Sequence, residues 1–213
     1  KYKSFIMDDL ELSGLGMAGI IYDLEQVEIY RGPQSSIFGP NAMAGLISLK
    51  SVDPTDKFSA SARITIGSSL INRQEAFVSG PINSKLAYRF SYLSSYGSGF
   101  RNNVFKDTFT SNARDEKILR GKLRFMPVER IIILGTLFSS VLDNGYDAWA
   151  PDNNTLLKTY SNDLGKDGQL TDGLSIRTTV LFAEDLKLTS ISALSRTDLI
   201  HSFDGDWGND QFW

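Results

Sequence analysis

Between positions 119 and 125, Leu119, Gly121, Leu123 and Phe125 alternate with Arg120, Lys122 and Arg124, so a strand built there carries three cations on one face and an apolar surface on the other. No apolar core accepts unpaired cations. One face must therefore meet water or carboxylates while the other meets an apolar medium. The same period of two recurs. From Phe58 to Ile66, Phe58, Ala60, Ala62, Ile64 and Ile66 fall opposite Ser59, Ser61, Arg63 and Thr65. From Leu86 to Tyr96, Leu86, Tyr88, Phe90, Tyr92 and Tyr96 fall opposite Ala87, Arg89, Ser91, Leu93 and Ser95. Further strands fit residues 73–79, 131–141, 174–182 and 186–196. The Ile131–Val141 segment is apolar on both faces, which leaves its register open.

The connections alternate too. Gly80-Pro81-Ile82-Asn83-Ser84, Met126-Pro127-Val128-Glu129 and Ala183-Glu184-Asp185 read as tight turns, whereas residues 97–115 and 143–173 are long polar stretches. Short turns at one end and long loops at the other are the layout of a transmembrane β-barrel. A soluble all-β ligand- or carbohydrate-binding module, with the Tyr and Phe of residues 88–96 in its core, is the alternative; it rarely tolerates two such loops, and detergent dependence separates the two readings. The run from Ile131 to Phe138 falls far short of the roughly 18 apolar residues a spanning helix needs, so the membrane reading rests on strands. With 22 Lys plus Arg against 25 Asp plus Glu the chain has no basic field for nucleic acid, and with no Cys it has no thiol chemistry.

The character changes near Val52-Asp53-Pro54. Before it, short apolar runs are broken by Gly and Pro. Val27–Tyr30 reads as a strand stopping at Gly32-Pro33, a compact turn follows, Gly39 and Gly45 give sharp bends, and Leu46–Lys50 reads as a second strand. The run Arg31-Gly32-Pro33-Gln34-Ser35, then Phe38-Gly39, Asn41-Ala42 and Gly45, resembles the end of the plug domain of TonB-dependent outer-membrane receptors. Gln26, Tyr30, Pro40 and Ala44 depart from that family's usual residues, and Asp9 stands where the family usually has Gly in an earlier Asp-Gly pair.

The resemblance implies a mainly β chain, with residues 1–52 the C-terminal part of a plug and residues 53–213 the first seven or so strands of a transmembrane antiparallel barrel. Arg31, Gly32, Pro33, Gln34, Ser35, Gly39, Asn41, Ala42 and Gly45 then form a structural and gating motif, with Arg31 expected either in the plug core facing the barrel wall or simply stabilising its turn. Arg63, Arg89, Arg120, Lys122 and Arg124 are expected to face the lumen, where Arg120, Lys122 and Arg124 pair with plug carboxylates or, as the alternative, meet an anionic ligand. The implied activity is uptake of a scarce ligand (ferric siderophore, haem, cobalamin or glycan) across the outer membrane of a Gram-negative bacterium. The implied partners are outer-membrane lipid, an iron chelate or similar small molecule, and TonB with its inner-membrane energising complex; no catalysis, cofactor or metal site is expected. Such barrels have about 22 strands of roughly 10 residues, more than this chain holds, so it is expected to be a fragment that does not insert stably alone.

Three weaker patterns compete. Gly14-Leu15-Gly16-Met17-Ala18-Gly19 matches the dinucleotide G-x-G-x-x-G but leads straight toward the next strand, without room for the helix such a site requires. Asp204, Asp206 and Asp210 alternate as calcium ligands do, without the bidentate Glu that closes such a loop. His201, the sole histidine, makes no multi-histidine metal site.

Overall fold

A computed structural model describes residues 3–12, 21–38, 42–183 and 185–213. Two sheets dominate it. The smaller comprises β1 (Lys3–Met7), β2 (Leu10–Glu11), β3 (Leu24–Arg31) and β4 (Gly45–Ser51) in the order β2-β1-β4-β3, and one helical turn, α1 (Ser35–Phe38), lies between β3 and β4. β1 and β4 run parallel while the outer pairs are antiparallel. A parallel pair needs a long crossover, and everything from β2 to α1 supplies it.

The larger sheet is an antiparallel meander of seven strands: β5 (Ser59–Ile66), β6 (Asn72–Pro81), β7 (Leu86–Gly97), β9 (Arg114–Val128), β10 (Ile131–Gly145), β12 (Lys166–Leu181) and β13 (Lys187–Ser202). Each strand pairs with its sequence neighbours in this sheet. Two further short strands, β8 (Asn102–Asn103) and β11 (Lys158–Thr159), pair with each other in the long connections. At one end the turns are tight: the Asn83 carboxamide oxygen accepts the N–H of Lys85 and of Leu86, an Asx turn that closes β6 on β7.

The strands outlast their alternation. Pairing of β10 with β12 continues to Gly145 opposite Lys166, so part of the stretch expected as loop over 143–173 is strand. There the residues on both faces are polar or glycine, Asp143, Asn144 and Gly145 opposite Gly168, Asp167 and Lys166, which erases the period of two without disturbing the backbone ladder. Met126-Pro127-Val128 also belongs to β9 rather than to the turn. The register shift between Ile131 and Ile133 accommodates Pro127, which has no N–H to give the ladder. The register that the sequence left open in β10 is settled, with Thr136, Phe138, Ser140 and Leu142 buried and Leu137 and Val141 exposed.

The large sheet is inside out by the standards of a water-soluble protein. Its buried face carries Ser79, Arg89, Ser91, Arg120, Lys122, Thr136, Gln169, Thr171 and Ser175. Its exposed face carries Phe90, Leu119, Leu123, Phe125, Leu137, Leu170, Leu174, Ile176 and Leu194. What covers the polar face is the small sheet, through an apolar contact of Phe5, Met7, Leu10, Leu12 and Leu49 against Leu93, Ile118 and Phe138. Around that patch the seam is ionic.

Candidate functional site at the seam between the two sheets

The seam starts at the β1–β2 hairpin. Met7 pairs with Leu10, leaving Asp8 and Asp9 as a two-residue turn, and both adopt positive φ, 47° and 72°. Hairpin turns of this hand favour Asn-Gly or Asp-Gly because a Cβ is strained there. The large sheet grips this turn. The Asp8 carboxylate accepts the N–H of Ser51 at 2.9 Å, its hydroxyl at 2.6 Å and Lys122 Nζ at 3.0 Å. Lys122, only 3% exposed, spends its other donors on Ser51 O at 3.1 Å and Asp53 Oδ1 at 2.9 Å. Asp9 receives a forked pair from Arg177, whose Nε lies 2.9 Å from Oδ2. Ser175 Oγ donates to Asp8 O at 2.9 Å, and Ser195 Oγ donates to Glu11 O at 3.2 Å. Leu10 sits so close to Gly173 that a Cβ there would stand 2.8 Å from Leu10 Cδ1. The glycine makes room for the hairpin.

A second grip holds the turn before β3. Asp23, at φ 55°, receives a forked pair from Arg89, with Nε 2.9 Å from Oδ2. The Asp23 and Arg89 side chains are 4% and 6% exposed. Arg89 also lies over the Phe77 ring, 4.1 Å from its centroid. Arg120 donates to Tyr22 O at 2.9 Å and to Asp23 O at 3.3 Å. The chain then crosses from β4 to β5 stitched to the wall: Ser79 Oγ donates to Tyr88 O and in turn accepts from Thr55 N and Thr55 Oγ1, and Arg124 pairs with the exposed Asp56.

Buried charges survive only when paired and fully hydrogen-bonded, and removing one partner costs about 3–5 kcal/mol. By that measure Asp23–Arg89 and Asp8–Lys122 hold the seam, while Arg124–Asp56 contributes little. Burial pushes the Asp8 carboxyl up, but Lys122, the Ser51 hydroxyl and Arg120 outweigh it and hold the group below its ordinary value. Beside the grip a cleft of about 440 Å³ separates the sheets, lined by Asp9, Glu28, Lys50, Asp53, Lys122 and Arg177 among others. Chemically the seam can hold and release: outside the apolar patch its contacts are ion pairs and hydrogen bonds, reversible once water enters.

The residues singled out in the sequence fall in different places. Arg89, Arg120 and Lys122 converge on the seam, Arg124 stands at its rim, and Arg63 is exposed, 3.7 Å from a Glu75 that Arg73 holds more closely at 2.7 Å. Arg31 ends β3, the outer edge strand of the small sheet, and is exposed, so in this chain it does not face the large sheet. The seven strands cover one side of the small sheet, and the grips come from Asp8, Asp9 and Asp23 instead. Around Arg31 the motif makes a tight fold-back: Gly32 has φ 85°, Pro33 is exposed, Gln34 N donates to Ala42 O at 2.8 Å, Ser35 opens α1, and Ala42 is fully buried. Gly45 has φ 143°, where a Cβ would meet Tyr30 O at 2.7 Å. Gly39, Asn41 and the Gly14–Gly19 stretch lie outside the described residues. Among the described residues no group of three or more His, Cys, Asp or Glu is placed to hold a metal; Asp204 and Asp206 each accept a backbone N–H two residues on, and His201 lies 3.4 Å from Asp167. Asp8 and Asp9 are the pair that stands in place of the family's usual Asp-Gly, although nothing in that resemblance marks them as partners of the large sheet; Asp23 and Asp53 carry no motif.

Known structures share this arrangement. The ferric yersiniabactin uptake receptor of Yersinia pestis superposes on 96% of the chain with a TM-score of 0.81 at 19% identity, and the chain spans 33% of that receptor. This is the plug-and-barrel fold of the TonB-dependent outer-membrane receptors. The ferric-catecholate import receptor of E. coli K12 superposes on 94% of the chain (TM-score 0.73, 16% identity, 32% of its length). The ferripyoverdine receptor of Pseudomonas aeruginosa does so on 97% (TM-score 0.70, 17% identity, 30% of its length). By sequence, 103 residues are 25% identical to a vitamin B12 transporter of Vibrio vulnificus, covering 48% of this chain and 17% of the transporter. No family model matches the chain.

Proposed function

We propose that the chain is part of an outer-membrane receptor for energised uptake of a scarce ligand, with residues 1–52 in the plug and residues 53–213 in the barrel. The observation that carries this is the reversed polarity of the large sheet: cations and hydroxyls turned toward a small sheet that meets them with carboxylates, and leucines turned outward. That division suits a wall with lipid outside and a plug inside. The ligand belongs to the class of ferric siderophores, haem, cobalamin or glycans, and the receptor performs no catalysis. Energy comes from TonB and its inner-membrane complex, and the ionic seam is what the pull has to loosen. The plug motif from Arg31 to Gly45 holds the fold-back that connects β3 to β4, and Arg31, exposed on one side of this chain, faces strands beyond the seven present here.

The test is growth. The complete gene is deleted and restored in its host under iron limitation, with ferric enterobactin, ferrichrome, haemin and, separately, cobalamin as the supplied nutrient. Loss of growth on one nutrient, restored by the gene and abolished by loss of TonB, is the expected outcome. Growth on every nutrient in the deletion, together with recovery of the protein in the soluble fraction without detergent, would remove the proposal.

A further inference from the structure

The end of the wall opposite the tight turns carries three long segments, 98–113, 146–165 and 203–213, and they are tied together by a polar core. Asp147 is fully buried. Its Oδ2 accepts Asn103 Nδ2 at 2.9 Å and Thr159 Oγ1 at 2.6 Å, and its Oδ1 accepts Ser161 Oγ at 3.0 Å. Its main-chain oxygen accepts Asn112 Nδ2 at 3.2 Å. Asn103 and Thr159 are fully buried as well, and Ser161 is 1% exposed. Asn103 Nδ2 also reaches Ser161 O at 2.9 Å, while its Oδ1 accepts the N–H of Phe105 and of Lys106.

Backbone bonds run alongside. β8 pairs with β11, Asn102 N donates to Leu157 O at 2.9 Å, and Val104 N donates to Thr159 O at 3.0 Å. The third segment joins from the other side: Asn209 Nδ2 donates to Tyr160 O at 2.6 Å, Asn162 N donates to Gly208 O at 3.0 Å, and the Tyr160 and Phe212 rings lie 4.7 Å apart. Asp147 has no cation among these partners; its side-chain oxygens accept from hydroxyl and amide donors. Such a network is stable only while complete, because each donor or acceptor left behind is buried and unsatisfied.

We propose that the three segments form one preassembled body that orders and opens as a unit, with Asp147 as the residue that couples them. Separate loops would each lose conformational freedom when a ligand is captured; a single body has met that cost in folding. Its relevance to capture rests on the receptor reading, which places these segments on the outward side. The coupling itself does not, and it can be measured whichever side they face.

The measurement is amide hydrogen exchange on the full-length protein in detergent, wild type against Asp147→Ala. The expected result is faster exchange, by about tenfold or more, at residues 102–104, 158–162 and 208–212 together, with the central residues of β9 and β10 still protected. Acceleration confined to 146–165, the segment that contains the substitution, overturns the proposal. If Asp147→Ala also strips protection from β9 and β10, Asn103→Ala decides by the same criterion: it alters only the first segment, and it must accelerate exchange in the other two.

Discussion

Asp9 occupies a position that its backbone would give to glycine, and the side chain that makes the turn strained is the one Arg177 holds. Strain and grip are therefore coupled, which a double-mutant cycle can read. Arg177→Ala is expected to destabilise the hairpin by about 1 kcal/mol in the wild-type background, since the pair is partly exposed. In an Asp9→Gly background it is expected to cost nothing, and Asp9→Gly alone is expected to be near neutral because relief of the left-handed Cβ offsets the lost pair. Urea titration of the full-length protein, followed by exchange at residues 5–12, measures the cycle; equal costs of Arg177→Ala in both backgrounds would separate strain from grip. Asp8 gives a pH dependence of definite sign. Its folded value is depressed below the ordinary 3.8, so its contribution is fully present above the unfolded value and is lost as pH falls through the folded one. Hairpin stability is therefore expected to be insensitive to this group between pH 5 and 8 and to drop below about pH 3.8, with the acid limb reduced in Asp8→Asn.

Single strands carry the membrane argument. In β10 the outward Leu137 and the inward Ser140 differ in exposure, but the sharper difference lies in what surrounds them. Leu137→Arg is expected to cost about 2–4 kcal/mol in folding into lipid, as a cation near the middle of a lipid face does; the equilibrium unfolding of the full-length protein in phospholipid vesicles measures it, and a cost below 1 kcal/mol would argue for water on that face. How far the elements were legible in the sequence follows from the same physics. β5, β7 and the middle of β9 showed themselves because apolar and polar side chains separate onto their two faces. β10 did not reveal its register because Phe138 packs inward on the apolar patch around Met7 and Leu10 and Leu142 is buried on the same face, so both faces read apolar. The last residues of β10 and the outer half of β12 read as loop because polar residues and glycine stand on both faces there. At the seam, Arg89, Arg120 and Lys122 were legible as inward cations by their alternation. Their partners Asp8, Asp23 and Asp53 were not, since pairing between residues up to 114 positions apart leaves no local pattern, and Arg31 drew attention through its motif while standing away from the seam.

At the scale of the whole molecule the proposed function requires the apolar face of the meander to meet lipid and the polar face to meet the plug. Among the described residues β5 and β13 are the two ends of the meander, each paired on one side, so the edges need further strands or another cover before the wall can sit in a bilayer. The absence of cysteine from the chain makes the claim directly measurable, because single cysteines can be introduced one at a time. Spin labels placed along β10 in the complete protein, with any cysteine outside this chain replaced, would be reconstituted in phospholipid vesicles and tested for collision with oxygen, which concentrates in lipid, and with a water-soluble nickel chelate. Labels at 133, 135 and 137 are predicted to collide freely with oxygen and not with nickel, and labels at 134, 136 and 138 to be shielded from both. Nickel accessibility at 133, 135 and 137 without oxygen accessibility would put that face in water and contradict the account.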